Sequence, residues 1–332
     1  MADQGYSPAP RALKSGIVSI PPTGEQYEIV SGGHRAVITE VGATLRSYAV
    51  DGVDVVHGFA ENAVVKGGRG QNLIPWPNRI RDGKFTFAGQ PHQLALSEPA
   101  RDNATHGLVR HVPWVLTDRA PDAVTNRVRV YPQPGWPGWL EASLTHRVAA
   151  DGLTVTVEAT NFGDRDVPFG YGAHPYLTVG ESVVDEVSLT LPAESYLEVD
   201  DRLLPVRVSP VAGTPNDLRS GPTLGPLNLD TAMTDLARDA GGTWRVTLTL
   251  GDRSSEIWGD AAMRWAQVFT GGPYRDWGIA VEPMTCGPDA FNPGPTHDDL
   301  IALSPGETFT GRWGVRNIVA TTAASATGNS HP

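Results

Sequence analysis

Short β-rich runs closed by turn signals constrain this chain more than any other feature. Gly32-Gly33 precedes an alternating run over residues 34–41, as a tight turn into a strand requires. Residues 84–94 (KFTFAGQPHQL) read as a hairpin bending at Ala88-Gly89, and 143–161 (SLTHRVAADGLTVTVEATN) as another turning at Asp151-Gly152. WRVTLTL, SSEIWG, RWAQVFTG, WGIAVEP and TFTGRWGV supply further runs between Trp244 and Val315. The 37 Gly and 28 Pro among 332 residues are too many for a helical bundle. One short stretch, 230–238 (DTAMTDLAR), reads as helix. With no internal repeat and no dividing linker, the pattern predicts an all-β fold, one large antiparallel β-sandwich over residues 15–320. The small, polar ends, 1–14 and 321–332, read as flexible tails.

Composition removes several classes of function. The only cysteine, Cys286, excludes an internal disulfide and an all-cysteine metal site. A net charge of −11 disfavours nucleic acid as a partner. The first twenty residues hold no signal-peptide core and no run of eighteen apolar residues occurs, so no membrane association and a cytoplasmic location are expected. The nine histidines form no HxH or HExxH pattern, and no metal is expected. GGRG at 67–70 is glycine-rich, but no helical pattern follows it, which weakens a dinucleotide reading. Without a GxSxG elbow or an activated-thiol signature at Cys286, covalent nucleophilic catalysis is not expected.

Four segments place polar groups among turn residues. In 72–81 (NLIPWPNRIR), two prolines stiffen the approach to Asn78 and Arg79. Arg79 there either forks onto hydroxyls or an anion, or pairs with a surface carboxylate. His106 in NATHG and His174 in FGYGAHPYL are each either loop-capping or structural groups, or proton carriers near neutral pH. Glu282 follows the apolar run 278–281 and precedes Pro283, at the expected end of a buried strand. A carboxylate there must be paired, with Arg275 or Arg79, or be raised in pKa, which suits a general base. Trp76, Trp136 and Trp139 lie in Pro/Gly-rich loops and suit the C–H face of a sugar, whereas Trp114, Trp244, Trp258, Trp265 and Trp277 read as core.

Taken in order, GATLRSYAVDG (42–52), NRI (78–80), HG (106–107), HPYL (174–177), LDTAMTDL (229–236), EPMTCGPDAFN (282–292) and LSPGE (303–307) resemble the aldose 1-epimerase (mutarotase) family. The resemblance implies a galactose-mutarotase-type sandwich, no cofactor, and a monosaccharide cleft on one sheet face. It makes Glu282 the general base and His174 the general acid. It makes Arg79, with Asn78 beside it, and His106 substrate-binding, and Asp230 the ligand of sugar hydroxyls, with Asp235 five residues on. The reaction expected is interconversion of the anomers of free aldohexoses such as galactose or glucose, with base and acid on opposite sides of the reacting centre. Two alternatives share the fold: a hexose-6-phosphate 1-epimerase, with Lys66, Arg69 and Arg81 as candidate phosphate ligands, and a non-catalytic sugar-binding protein. A glycosidase would normally need a second carboxylate across the bond. The oligomeric state is not encoded in any of these features.

Overall fold

The computed structural model describes residues 20–181 and 183–319. The tails expected at 1–14 and 321–332 lie outside the described residues. Two large antiparallel sheets dominate. The 12-stranded sheet runs from the edge strand Gln26–Ser31 through His34–Thr39, Leu45–Val50 and Val53–Val56 to the short Tyr176–Leu177. It continues through Ile279–Met284, Trp265–Phe269, Asp230–Leu236 and Ala193–Val199 to Pro205–Pro210. The 8-stranded sheet is centred on Leu140–Ala149, Gly152–Asn161 and Thr308–Val319. Among the described residues no helix is long and apolar enough to cross a membrane.

Side-chain alternation explains why the sheets stack. In Leu140–Ala149, residues Leu140, Ala142, Leu144, His146 and Val148 are buried while their neighbours are partly exposed or exposed. A one-residue slip would turn that whole set to solvent, at roughly 1.5–3 kcal/mol for each large aliphatic side chain. The inward residues of this sheet share one core cluster with Ile279, Val281 and Val268 of the other. Residues 280, 282 and 284 therefore point to the opposite, outer face. There Met284 packs with Leu197, Ala232 and Trp265 in a small second cluster. That outer face carries the candidate site.

The hairpins form where the turn residues demand. Lys84–Phe87 pairs with Gln90–Gln93 across Ala88 and Gly89, both in the left-handed region. The second hairpin closes one residue earlier than expected: Ala149 pairs with Gly152, leaving Ala150 and Asp151 in the turn. The short helix expected at 230–238 is instead the strand Asp230–Leu236. It is paired on one side with Ala193–Val199 and on the other with Trp265–Phe269. Two ladders of hydrogen bonds outweigh the modest helix preference of Ala, Met and Leu.

A second difference bears on the site. The strand expected to end at Glu282 continues through Pro283 to Met284. Val281 N–H donates to Pro175 O, toward the short strands Gly172–Ala173 and Tyr176–Leu177. Position 283 faces the same side, opposite Ala173 and next to the break between those two strands. Lacking an N–H, Pro283 leaves the rung between those of Val281 and Thr285 unmade. His174 stands in that break.

Candidate active site

Adjacent strands bring three polar side chains to the outer face. Gln267 lies directly opposite Glu282, and Asp230 opposite Phe269, two residues further along. Gln267 Nε2 donates to Asp230 Oδ1 at 2.6 Å. Its Oε1 accepts from Asn78 Nδ2 at 3.3 Å. Asn78, itself in a left-handed conformation that Asn tolerates well, ties together the covering loop. Its backbone O accepts from His106 N–H at 2.8 Å, and its Oδ1 accepts from Arg79 Nη1 at 3.2 Å. The structure thus uses Asn78 to position three other groups.

At the centre, His174 Nε2 lies 3.2 Å from Glu282 Oε1, and both residues are buried. Glu282 Oε2 and His174 Nδ1 are buried without a partner. Burial raises the Glu282 carboxyl well above the ordinary range; the nearby Asp230 charge adds to this and Arg79 opposes it. Burial pushes His174 down to about 4, with the Arg110 charge contributing in the same direction. Both shifts favour the neutral form of the pair, with its single proton on Glu282. The base and acid expected on opposite sides of the reacting centre are in fact in contact.

His106 packs edge-on against His174, ring centroids 5.7 Å apart. It occupies the left-handed region, and the following Gly107 approaches Ile74 so closely that a Cβ would lie 2.0 Å from Ile74 O. Burial and the charges of His174, Arg110 and Arg79 hold His106 well below its ordinary pKa. Arg79 takes Glu98 in a two-pronged bond, Nε to Oε2 at 2.8 Å and Nη2 to Oε1 at 3.1 Å. Of the two readings open for Arg79, pairing with a carboxylate is realised, yet its charge still acts on Glu282. Arg275, the other partner weighed for Glu282, pairs with Asp185.

The structure therefore gathers Glu282, His174, His106, Arg79, Asn78 and Asp230 at one place. Asp235 is exposed, on the same strand but outside this set. The loop tryptophans do not form a sugar platform there. Trp76 and Trp136 are buried, and Trp139 stacks with Tyr131 at a separate edge. Conversely, Trp277, read as core, is only partly buried and lies edge-on to Tyr176 beside His174. Gln267 was not singled out by sequence; its signal is one amide inside the apolar run WAQVF. Among the described residues no group of three or more His, Cys, Asp or Glu is placed to hold a metal ion.

The aldose 1-epimerase family model matches residues 25–316, nearly the whole described chain. The chain belongs to the aldose 1-epimerase family. It is 30% identical over 286 residues to the uncharacterized protein YihR of Escherichia coli, covering 86% of this chain and 91% of that one. It is also 30% identical to human galactose mutarotase over 220 residues, 61% of this chain and 63% of that protein. Among solved structures, an aldose epimerase homologue from C. elegans aligns with a TM-score of 0.78 at 21% identity, over 89% of this chain and 99% of its own. A galactose 1-epimerase from Lactobacillus acidophilus gives 0.71 at 20% identity, over 88% and 95%. These neighbours show the mutarotase-like fold.

Proposed function

We propose that this epimerase-family protein interconverts the α- and β-anomers of aldohexoses by acid–base ring opening and reclosure. The observation that carries the reading is the buried His174–Glu282 contact of 3.2 Å, which sets a carboxyl group directly against an imidazole nitrogen with which it can share a proton. The two oxygens that must exchange protons, the C1 hydroxyl and ring O5, are bonded to the same carbon. An acid and a base in contact can each reach one of them.

In the productive form the proton lies on His174. Sugar hydroxyls that donate to Glu282 offset the burial of its charge and favour this form. Glu282 takes the C1 hydroxyl proton, and the electron pair of that O–H bond forms the carbonyl. The C1–O5 bond breaks, its electrons go to O5, and O5 takes the proton from His174. The open aldehyde turns about C1–C2, and the same steps in reverse close the ring on the other carbonyl face. Positioned acid–base groups of this kind typically contribute 10²–10⁴-fold each. Arg79, His106 and Asp230 orient the hydroxyls and stabilise charge developing on oxygen.

Polarimetry of freshly dissolved α-glucose and α-galactose tests the reading. Catalytic amounts of the protein should speed the approach to equilibrium in proportion to enzyme concentration. Sugar-dependent tryptophan quenching with no change in that rate would replace the enzyme by a sugar-binding module. A binding module has no need to bury an unpaired carboxylate oxygen beside an imidazole.

A further inference from the structure

We infer that Arg69 recognises a singly charged oxyanion on C6 of the sugar, which makes the substrate class of this site a C6-anionic aldose. The inference rests on the epimerase reading above and names its substrate. Arg69 is only 7% exposed, in a chain with 37 acidic residues, yet no carboxylate among the described residues lies within ion-pair reach of it. Its one side-chain hydrogen bond among the described residues runs from Nη1 to Gly58 O at 2.9 Å. Among the described residues Nε is buried without a partner and Nη2 makes no hydrogen bond. The guanidinium stacks on the Trp277 ring at 3.7 Å. Arg79, Arg275 and Arg245, also partly buried, hold Glu98, Asp185 and Glu256, whereas Arg46 and Arg110 share with Arg69 the lack of a carboxylate within ion-pair reach among the described residues. Of these three, Arg69 lies in the segment that wraps His174. A buried cation without a counter-ion is costly, and a ligand that supplies the charge recovers that cost.

The position of Arg69 relates it to the reacting centre. The glycine-rich segment that contains it wraps His174. A Cβ on Gly68 would lie 2.7 Å from His174 Cδ2, and Gly70 N–H donates to His174 O at 2.8 Å. Tyr176 stacks on His174, and the charges of both Glu282 and Arg69 act on its hydroxyl. Ring O5, the atom His174 protonates, is bonded to C5, and C5 carries C6. A sugar bound for catalysis therefore places its C6 substituent on the His174 side, which is the side of Arg69.

Charge selects among anions. One guanidinium balances one negative charge, as a carboxylate or a sulfate ester carries and a forked donor accepts well. A phosphate monoester carries about −1.5 to −2 at neutral pH and calls for a second cation. The other two phosphate candidates do not converge on Arg69: Lys66 is exposed, and Arg81 faces Asp289 and Asp200.

The test compares kcat/KM for anomer exchange, by NMR, on glucose, glucuronate, glucose 6-sulfate and glucose 6-phosphate. The wild-type protein should favour glucuronate or glucose 6-sulfate over glucose by at least about tenfold, the scale of a hydrogen bond to a charged group. Arg69→Met should reduce that ratio by at least about tenfold, with Arg69→Lys, which keeps the charge, recovering part of it. Circular dichroism on both variants establishes that they fold. Acceleration of glucose without preference for the singly charged sugars, or an unchanged ratio in Arg69→Met, overturns the inference and leaves the epimerase reading standing. Preference for the 6-phosphate overturns the single-charge assignment. No acceleration of any of the four sugars overturns the epimerase reading itself, and the inference with it.

Discussion

Two buried histidines, His174 and His146, show what separates a reactive group from a core residue. Both sit in extended segments, and both have ring nitrogens without a hydrogen-bond partner. Burial lowers both, His146 to about 3 and His174 to about 4. His146 points into the core between the sheets, and both polar atoms of the nearby Asn126 are also unpartnered. Burial is the sole cause of its shift. His174 stands at a break between two short strands, in contact with a carboxylate and beside a second imidazole. The depth of a histidine is thus uninformative; a proton partner beside it is what makes acid–base exchange available.

The largest effects expected lie at the His174 side of that comparison. Glu282→Gln and His174→Asn should each slow anomer interconversion by at least about 100-fold while leaving the fold intact. Polarimetry on an α-anomer reads this, and near wild-type rates in both variants would break the distinction. The pH profile comes next. The pair works with one proton, so the rate should fall about tenfold per pH unit once His174 also protonates, near pH 4 and below. It should fall again at alkaline pH, when the raised Glu282 loses the pair's only proton. A profile flat through the acid limb, recorded on protein shown by circular dichroism to be folded, would remove His174 from the chemistry.

Gln267→Leu should lower kcat/KM by about tenfold, because Asp230 loses a charge-assisted donor and Asn78 loses its anchor. An unchanged kcat/KM would reduce the Asn78–Gln267–Asp230 chain to scaffolding. The smallest catalytic effect belongs to His146→Leu, with activity within about twofold of wild type. Its signature is in stability. A histidine whose pKa falls from 6.5 to about 3 on folding contributes stability that is present above pH 6.5 and is lost as pH falls toward 3. The loss is about 1.4 kcal/mol per pH unit for one proton. Urea midpoints at pH 7 and pH 5 should therefore differ less in His146→Leu than in wild type. An equal pH dependence would mean that His146 is not held neutral by the core.

Much of this was legible in the chain. Strand runs and turn dipeptides identify themselves because alternation and left-handed turn positions are local properties, as at Ala88-Gly89. The residues expected at the site also came together: Asn78, Arg79, His106 and His174 stand beside Pro or Gly turn signals, whereas Glu282 and Asp230 stand on strands. Three features were not legible. The strand at Asp230–Leu236 depends on neighbours far away in sequence, which its own composition does not reveal. The burial of Trp76 and Trp136 was hidden because Pro/Gly-rich context marks a loop but not its depth. Gln267 faces the site only because the register places it opposite Glu282.

The sequence alone determined that strands would form, where they would turn, and which acid–base side chains the chain could offer, because φ/ψ preference and side-chain period act over a few residues. Tertiary structure decided the rest. It set Glu282 against His174, tied Asp230 to Asn78 through Gln267, and buried Arg69 away from every described carboxylate. Pairing register and burial join residues more than a hundred positions apart, and only the assembled sheets specify them.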